Sequence, residues 1–451
     1  MANTKYDEKD AVVSADTSKE TMDHNESFPE KGVAVNRDYA GAAEKTDPEE
    51  IRLVRKLDFR IMPMLVFMYF LNYIDRNTLA QARLDDLEKE LGMEGEYQFN
   101  TTISILFVGY VLMQIPSNML ITRVRPSIYM SSWMVVWSIV SEVAARIAVL
   151  YCAQILATGF AGLIAAGVFK GLDDARGISG WRWLFIIEGC ATTVVALGGF
   201  FFLPDTPSTT RWLTAREREL AHDRVEKDTM GEGNSQKIPV MEGLRQAARD
   251  KRTWIFCLMQ NFHLAACCFN SFFPTVIKTL GYPKTETLLL TCPPFIFAAA
   301  GAIFMGWSSG RHHERTWHIT GGLGVAMVGF IIASSTLNTA GRYIACFIFP
   351  VGAYSVNSVI IGWVSSTLSQ TREKRAVVLA MHNVAGQIGY IYGAYVWPNY
   401  DKPRFAIGFG VSAGFAFGAI VCAWWMRTLL KRENRRLKEA AGGEIVNYYG
   451  Y

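Results

Sequence analysis

The sequence lacks the phosphate-binding motif of an ATP-driven pump and the zinc-binding motif of a metalloprotease. It contains no GxxxxGK[ST] phosphate-binding loop and no HExxH zinc-binding pattern, so neither ATP hydrolysis nor zinc proteolysis has its usual residues. Its eight cysteines show no CxxC spacing and fall within or beside apolar runs, where cysteine acts as a small buried hydrophobe rather than a metal or redox group. We therefore predict that the protein is not an enzyme and uses no cofactor or metal.

Charged residues are also scarce. They make up 19% of the 451 residues, whereas 50% are hydrophobic, a balance typical of a chain that alternates long apolar runs with polar loops. The net charge of +4 is too small to indicate nucleic-acid binding. Residues 1–50 are polar and contain no apolar core of a signal peptide, so we predict a disordered cytoplasmic tail there.

What the sequence has instead is apolar runs of membrane-spanning length. They lie near residues 59–80, 99–121, 183–203, 254–280, 286–309, 316–336, 341–366, 376–397 and 404–430. A longer block, residues 126–168, would be about 65 Å long as one helix, about twice the hydrocarbon thickness. We predict that it breaks into two spans near Ser141 to Arg146. The fold class is therefore an all-α polytopic membrane protein with about 11 spans, five before a central loop and six after it.

The charges between the runs predict the orientation of the spans. Lys and Arg gather before residue 60, in the central loop and after Arg427, which places both termini and that loop in the cytoplasm. The predicted division is a tail (1–50), an incomplete N-terminal bundle (51–203), the central loop (204–253), a six-helix C-terminal bundle (254–430) and a second cytoplasmic tail (431–451).

The predicted orientation conflicts with the number of spans in the first half. An N-terminus and a central loop on the same side require an even number of spans between them, whereas the apolar runs indicate five. Three explanations stay open: one segment is re-entrant or interfacial, this half inserts with charges on the unexpected side, or a span is absent from this sequence.

The first span, Phe59 to Ala82, is the most informative because it carries polar and charged residues. Asn72, Asp75, Arg76 and Asn77 occur where the helix should still be inside the bilayer. An ionisable residue there costs about 3 kcal/mol or more, so it usually faces a protein interior or a wet pathway where it has a function. The sequence therefore predicts a polar pathway at the centre of the protein.

Six motifs, in order along the chain, resemble one family. They are NYIDRNTLAQARL from Asn72, GWRWLFIIEG from Gly180, LPDTP followed by RWLT from Leu203, FFPTVIKTLGY from Phe272, NSVIIGWVSSTLSQTREKRAVVLA from Asn357 and YVWPNYDKPRF from Tyr395. Together they resemble the major facilitator superfamily, and within it the fungal anion:cation symporters, which include allantoate, nicotinate, biotin and pantothenate permeases. In that family a fourth span follows the counterpart of Ser138–Ser141, whereas here Glu142–Arg146 follows directly. The resemblance thus implies that the fourth span is missing, which the odd span count indicates independently.

The resemblance also implies that the first, fourth, seventh and tenth spans line a central cavity. The substrate-binding candidates in those spans are Arg76, Asn72, Tyr69, Asn77, His263 and Asn357. Arg76 is the natural carboxylate partner because a guanidinium binds carboxylate in bidentate fashion. The alternatives are that Arg76 pairs with Asp75 or another partner and only stabilises the fold, and that His263 is a satisfied interior hydrogen bonder.

Two carboxyls are candidates for proton coupling. Asp75 is the first. Burial favours its protonated form, whereas a nearby Arg favours its ionised form, so a movement of Arg76 would change its protonation. Glu188, in the WRWLFIIEG motif, is the second. The alternative for Glu188 is a structural bond to Arg182 or to a helix end.

The expected function is proton-coupled uptake of a small organic anion. The resemblance favours a vitamin-like carboxylate such as pantothenate or nicotinate, or allantoate, carried by a monomer across the plasma membrane, with the bilayer and no nucleic acid as partners. The rival hypothesis is a non-transporting protein. It would be a degenerate paralogue, or the product of an incorrectly predicted gene, that senses or binds a partner.

Overall fold

The computed structural model describes residues 48–93, 95, 97–121, 144–202, 213–220, 240–312, 314–368, 372–440 and 450. Every regular element in these ranges is a helix, and seven of the helical segments are long and apolar enough to cross a membrane. The predicted all-α membrane class is therefore confirmed.

The first half of the chain contributes four long helices to the described part. They are α1 (Pro48–Ala82), α2 (Gln98–Ile121), α3 (Ala144–Leu172) and α4 (Gly180–Phe202). One helical turn, Leu87–Glu90, precedes α2, and a 3-10 turn, Ala175–Gly177, precedes α4. Pro48 begins α1, a position where the missing N–H of proline costs no helical hydrogen bond.

The second half forms six units of membrane length within residues 251–440. Its helices are α5 (Val240–Arg249), α6 (Lys251–Ala266), α7 (Phe273–Lys278), α8 (Lys284–His312), α9 (Thr316–Ser335), α10 (Thr339–Thr367), α11 (Arg372–Gly393) and α12 (Ala406–Ala440). A 3-10 segment, Cys267–Phe272, joins α6 and α7 into one unit, and two 3-10 turns, Ala394–Val396 and Asn399–Asp401, follow α11. The short α5 precedes these units.

Polar side chains fix the starts of two of these helices. The Asp250 carboxylate accepts a hydrogen bond from the backbone N–H of Arg252, at 2.9 Å, at the start of α6. The Asn338 side chain accepts from the backbone N–H groups of Ala340 and Gly341 at the start of α10. Both side chains satisfy N–H groups that have no partner within the helix.

Consecutive long helices run in alternating directions. We call the end that holds the turns after α1, α3, α7 and α11 the distal end, and the opposite end the proximal end. Contacts of α1 with α3 at Gln154 and Thr158 show that these two helices run parallel, so α2 ends and α3 begins at the proximal end. The predicted break near Ser141 to Arg146 is followed by the start of α3 at Ala144. The additional span predicted in residues 126–143, and the junction at Ser138, lie outside the described residues.

The two halves pack against each other along α3 with α8 and α2 with α11. The first contact is close because of Gly162, where an added Cβ would lie 2.1 Å from Oγ1 of Thr291 and 2.7 Å from the carbonyl oxygen of Leu288. In the second contact the rings of Phe107 and Tyr390 stack with centroids 4.6 Å apart. Small residues allow helix backbones to approach in this way inside a membrane.

Candidate functional site

The polar residues of α1 form hydrogen bonds to α3 near the centre of the bundle. The Tyr69 hydroxyl donates to Oε1 of Gln154 at 3.1 Å. The side-chain amide of Asn77 donates to the Tyr73 carbonyl at 2.7 Å and lies 3.2 Å from Oγ1 of Thr158. These residues recur every three to four positions along α1, so one face of the helix is polar.

Arg76 lies on the same part of α1, and its guanidinium contacts aromatic rings. The guanidinium carbon is 4.4 Å from the centroid of Tyr110 on α2 and 5.2 Å from that of Tyr73. Within the described part of the chain, no carboxylate oxygen lies within 4 Å of the Arg76 nitrogens. A cation–π contact contributes about 0.5–2 kcal/mol and leaves the N–H donors of the guanidinium available to a carboxylate. Arg76 thus has aromatic contacts and no carboxylate partner among the described residues, which makes this position suited to an anion.

The second half reaches α1 through its interrupted helix. Asn270, in the 3-10 segment between α6 and α7, donates from Nδ2 to Oδ1 of Asn77 at 2.9 Å. Its own Oδ1 is buried and has no hydrogen-bond partner among the described residues. Interrupted helices occur in membrane proteins where the backbone lines a site. The junction therefore offers a hydrogen-bond acceptor beside Asn77, the residue that follows Arg76 on α1.

Asp75 and Glu188 meet between α1 and α4, away from Arg76. The Thr192 hydroxyl lies 3.0 Å and 3.2 Å from the two Asp75 carboxylate oxygens. The hydroxyl of Thr78 on α1 lies within hydrogen-bonding distance of Oε2 of Glu188. Asp75 therefore forms no ion pair with Arg76 in this structure, because adjacent residues on a helix point about 100° apart.

The alternative partner of Glu188 is occupied elsewhere. Arg182 forms an ion pair with Glu90 at 3.0 Å, in the turn that precedes α2. Residues six positions apart on a helix do not face each other, so α4 cannot bring Arg182 and Glu188 together. This geometry leaves Glu188 with a neutral hydroxyl partner.

His263 and Asn357 lie within the second half. Nε2 of the buried His263 is 2.9 Å from the carbonyl oxygen of Ala353, and Oδ1 of Asn357 accepts from Nε2 of Gln260 at 3.0 Å. Both bonds join α6 to α10. The bond to Ala353 matches the interior role that the sequence left open for His263. The substrate-binding roles of His263 and Asn357, like those of Tyr69, Asn72 and Asn77, stay predictions.

Side-chain links between the halves are concentrated at the distal end. Lys284 of α8 pairs with Asp85, just after α1, and Arg83 donates to Oδ1 of Asn399 at 3.1 Å. At the proximal end, the ion pairs among the described residues each stay within one half or its central loop. Among the described residues, the ion pairs that join the two halves thus lie at the distal end.

Comparison with known proteins decides the family of this fold. A family model described as Major Facilitator Superfamily matches residues 132–394, more than half of the chain. The chain belongs to the Major Facilitator Superfamily. The predicted superfamily is therefore confirmed, and the narrower resemblance to anion:cation symporters stays a prediction.

Two fungal relatives and a solved structure are similar to most of the chain. An uncharacterized transporter of Schizosaccharomyces pombe is 28% identical over 444 residues, with 88% of this chain and 90% of that protein covered. The major facilitator-type transporter hxnP of Emericella nidulans is 28% identical over 449 residues, covering 88% and 89%. The D-xylose-proton symporter has a TM-score of 0.57 at 15% identity, with 82% of this chain and 97% of that chain covered. The structural likeness shows the fold alone, and the sequence relatives are transporters by name.

Two pentapeptides in this member of the Major Facilitator Superfamily match the GxSxG pattern of serine hydrolases. They are Gly306–Gly310 in α8 and Gly410–Gly414 in α12. A hydrolase nucleophile sits on a sharp strand-to-helix turn, whereas both matches lie inside continuous helices. We interpret them as helix-packing sequences.

An ion cluster stabilises the proximal end of the second half. Nζ of Lys374, on α11, and Nη2 of Arg252 lie 2.9 Å and 3.0 Å from Oδ2 of Asp250. Burial alone would raise the pKa of the Asp250 carboxyl, but the hydrogen bonds and charges of Arg252 and Lys374 together lower it below its usual value. The Asp250 side chain therefore both caps α6 and ties it to α11.

Sequence reasoning missed several residues of the α1 polar site. Tyr110, Gln154, Thr158, Thr78 and Thr192 all contact its predicted residues. Gln154 and Thr158 gave a usable signal, because a polar pair at i and i+4 inside an apolar run indicates a buried polar face. Tyr110 gave none, since a tyrosine in an apolar helix is common.

Proposed function

We propose that this chain is a proton-coupled secondary transporter that takes up a small organic anion. The observation that carries the proposal is Arg76, a half-buried guanidinium that contacts Tyr110 and Tyr73 and has no carboxylate partner among the described residues. An anionic substrate would supply the missing charge through two parallel hydrogen bonds. Membership of the superfamily and the named fungal transporters support the transport activity.

The proposed substrate is a vitamin-like carboxylate, with nicotinate, pantothenate and allantoate as the candidates. The resemblance of the first-span motif to the anion:cation symporters supports this class. The unpaired acceptor of Asn270 favours pantothenate and allantoate, which carry hydrogen-bond donors, over nicotinate, which as an anion carries none. The proposed coupling ion is a proton, bound at Asp75 or Glu188, and the proposed location is the plasma membrane with both termini in the cytoplasm.

Ligand-induced thermal stabilisation of the purified protein tests the anion site. Nicotinamide has an amide in place of the carboxylate of nicotinate, and pantothenol has an alcohol in place of the carboxylate of pantothenate. Each pair therefore isolates the effect of the negative charge. We expect the acid of at least one pair to raise the melting temperature and its neutral partner to have no effect at the same concentration. A ligand present at 100 times its Kd would stabilise the fold by about 2.7 kcal/mol.

Arg76→Gln is the test variant, and Arg182→Gln is its matched control. Arg182 is half exposed and pairs with Glu90 outside the polar site. We expect Arg76→Gln to lose the acid-dependent shift and Arg182→Gln to keep it. Equal shifts in melting temperature for an acid and its neutral partner, or an undiminished shift in Arg76→Gln, would argue against a carboxylate at this site.

A second candidate function is a shortened, non-transporting relative that senses or binds a partner. The alignments with the two fungal transporters extend over 444 and 449 residues, yet 88% of this 451-residue chain is about 397 residues. The relatives thus have about 50 aligned positions that this chain lacks, enough for one span with its loops. Sequencing the native transcript across codons 138–150 separates the two cases. An additional in-frame coding segment favours transport, and a transcript as printed favours the shortened relative.

A further inference from the structure

Glu188 is an unusual residue for the helix that carries it. It is 6% exposed, although most of α4 faces outward, including Ile186, Val194 and Leu197. It is the only acidic residue between Gly180 and Phe202. A carboxyl that is buried on the inner face of a peripheral helix has no solvent to stabilise its charge.

The Glu188 carboxyl belongs to a reciprocal arrangement with α1. Thr78 of α1 hydrogen-bonds Glu188 of α4, while Thr192 of α4 hydrogen-bonds Asp75 of α1. Asp75 and Thr78 are three positions apart, and Glu188 and Thr192 are four apart. Each pair therefore lies on one face of its helix, and the two carboxyls face each other's helix.

The side chains around Glu188 donate too few hydrogen bonds to stabilise an ionised carboxylate. The Thr78 hydroxyl has one proton and lies 3.1 Å from the carbonyl oxygen of Ile74 as well as beside Oε2 of Glu188. A threonine on a helix commonly donates to that carbonyl, four positions earlier. The other Glu188 oxygen, Oε1, is buried and has no hydrogen-bond partner in the described part of the chain. A protonated Glu188 resolves this shortage, because it donates to Thr78 while Thr78 donates to Ile74.

Among the side chains that the structure describes on α1 and α3, none offers a cation to Glu188. The charged group that faces it from α1 is Asp75, whose charge has the same sign, and Arg76 turns to Tyr110. On α3, within Cys152–Leu172, the titratable side chains are Cys152 near the start and the exposed Lys170 near the end. Asp75 is half-buried and Glu188 is buried, and the charge of one carboxylate opposes ionisation of the other, which favours a proton on one of them.

We propose that Glu188 is the proton-binding residue of this protein, and that it holds one proton in a carboxyl pair with the ionised Asp75. Both Asp75 oxygens have the Thr192 hydroxyl in reach, whereas Glu188 has an unpartnered oxygen, so the proton belongs on Glu188. This inference rests on the proposed proton coupling and assigns its site to the α1–α4 interface.

The pair connects protonation to the anion site through α1. Release of the proton leaves two like charges between α1 and α4, which weakens the contact between these helices. Arg76 and Asn77 immediately follow Asp75 on α1, so a shift of that helix also moves the anion site. Binding of the anion and binding of the proton are thereby linked without contact between them.

Infrared spectroscopy of the purified protein in lipid, without any substrate, tests the proposal. A protonated carboxyl gives a C=O stretching band that a carboxylate lacks. We expect this band in the wild-type protein at neutral pH, its retention in Asp75→Asn and its loss in Glu188→Gln. A band that persists in Glu188→Gln, or a wild-type protein without the band, would overturn the assignment.

Thr78→Val provides a second variant that keeps both carboxyls. Removal of the hydroxyl takes away the acceptor of the Glu188 proton, so we expect the band to remain but to shift in frequency. An unshifted band would overturn the proposed hydrogen bond even if Glu188→Gln does not fold. Because no ligand is present, a failed nicotinate and pantothenate comparison leaves this test unaffected, and the two proposals can fail separately.

Discussion

At the scale of single residues, partner choice distinguishes the functional candidates. Arg76 lies beside Asp75 in sequence, yet Asp75 accepts from Thr192 and Arg76 contacts Tyr110. The interior cation and the interior carboxyl are thereby separated onto two faces of α1. One face suits an anion, and the other faces the Glu188 proton site that we propose.

The Asp250 cluster gives a prediction about stability. Asp250→Ala removes the cap of α6 and the charge partner of Lys374 and Arg252. Lost caps and lost charge-assisted hydrogen bonds each cost about 1–2 kcal/mol, so we expect a clearly lower melting temperature at pH 7. Glu219→Ala, which breaks an exposed pair with Arg216, should have little effect. Equal melting temperatures for the two variants would contradict this role.

The same cluster predicts a dependence on pH. Because the pKa of Asp250 is lowered in the folded state, its stabilisation is fully present above the ordinary aspartate pKa of about 3.9. It is lost as the pH falls through the lower, folded-state pKa. The difference in melting temperature between wild type and Asp250→Ala should thus shrink in strong acid. A difference that stays constant down to that range would exclude the ionised carboxylate as its cause.

Residue roles were only partly predictable from sequence. The polar face of α1 was visible because Asn72, Arg76 and Asn77 interrupt an apolar run. The partners of Glu188 were not, since a hydrogen bond between α1 and α4 joins positions 110 residues apart. Helical spacing alone would have excluded the Arg182 alternative, because residues six apart lie on different faces.

At the scale of helices, some predicted apolar runs match observed helices closely, and others are extended beyond the run. The predicted run 316–336 corresponds to α9, Thr316–Ser335. The helix α1 instead begins at Pro48, before the predicted residue 59. Its additional turns are held by Leu53, which packs on Leu213, and by Lys56, which pairs with Glu217. A hydropathy profile identifies the apolar spans but does not detect an amphipathic extension of a helix such as this one.

The close contact of α3 with α8 gives a prediction at this scale. In Gly162→Ala the added Cβ would meet Thr291 and the Leu288 backbone, so the helices must separate. Overpacking of this kind costs about 1–3 kcal/mol, and we expect a lower melting temperature. Gly167→Ala is the matched control, because a Cβ at Gly167 meets no atom within 4 Å. A Gly162→Ala protein as stable as the control would refute the tight contact.

At the scale of the whole molecule, the ion pairs that the structure describes between the two halves lie at the distal end. Links at the distal end, such as Lys284 with Asp85 and Arg83 with Asn399, hold that end together. The described ion pairs at the proximal end do not cross between the halves. Such an arrangement is expected of a transporter that is closed at the distal end, and motion of one half against the other would have to break these links.

Breaking the Lys284 link should change the balance between conformations. Asp85→Asn removes the buried charge that pairs with Lys284, and a loss of about 1.4 kcal/mol would change a conformational ratio about tenfold. Spin labels at the exposed positions Leu91 and Tyr400, with the exposed Cys190 replaced, report the separation at the distal end. We expect a larger population of long distances in Asp85→Asn.

Asp86→Asn is the control for this measurement. Asp86 is the next residue in sequence, but its ion pair with Lys89 stays within one short turn. Its distance distribution should match that of the wild-type protein. Identical distributions in Asp85→Asn and Asp86→Asn would show that the Lys284 link does not hold the distal end closed.

The most direct test of the account is accumulation of a radiolabelled anion in proteoliposomes under an imposed pH gradient. Nicotinate, pantothenate and allantoate would be tested in turn on wild type, Arg76→Gln and Arg182→Gln. We expect wild type and Arg182→Gln to accumulate at least one of them and Arg76→Gln to lose at least tenfold in uptake, as when about 1.4 kcal/mol or more of binding is removed. Undiminished accumulation in Arg76→Gln, or none in the wild-type protein, would contradict this expectation.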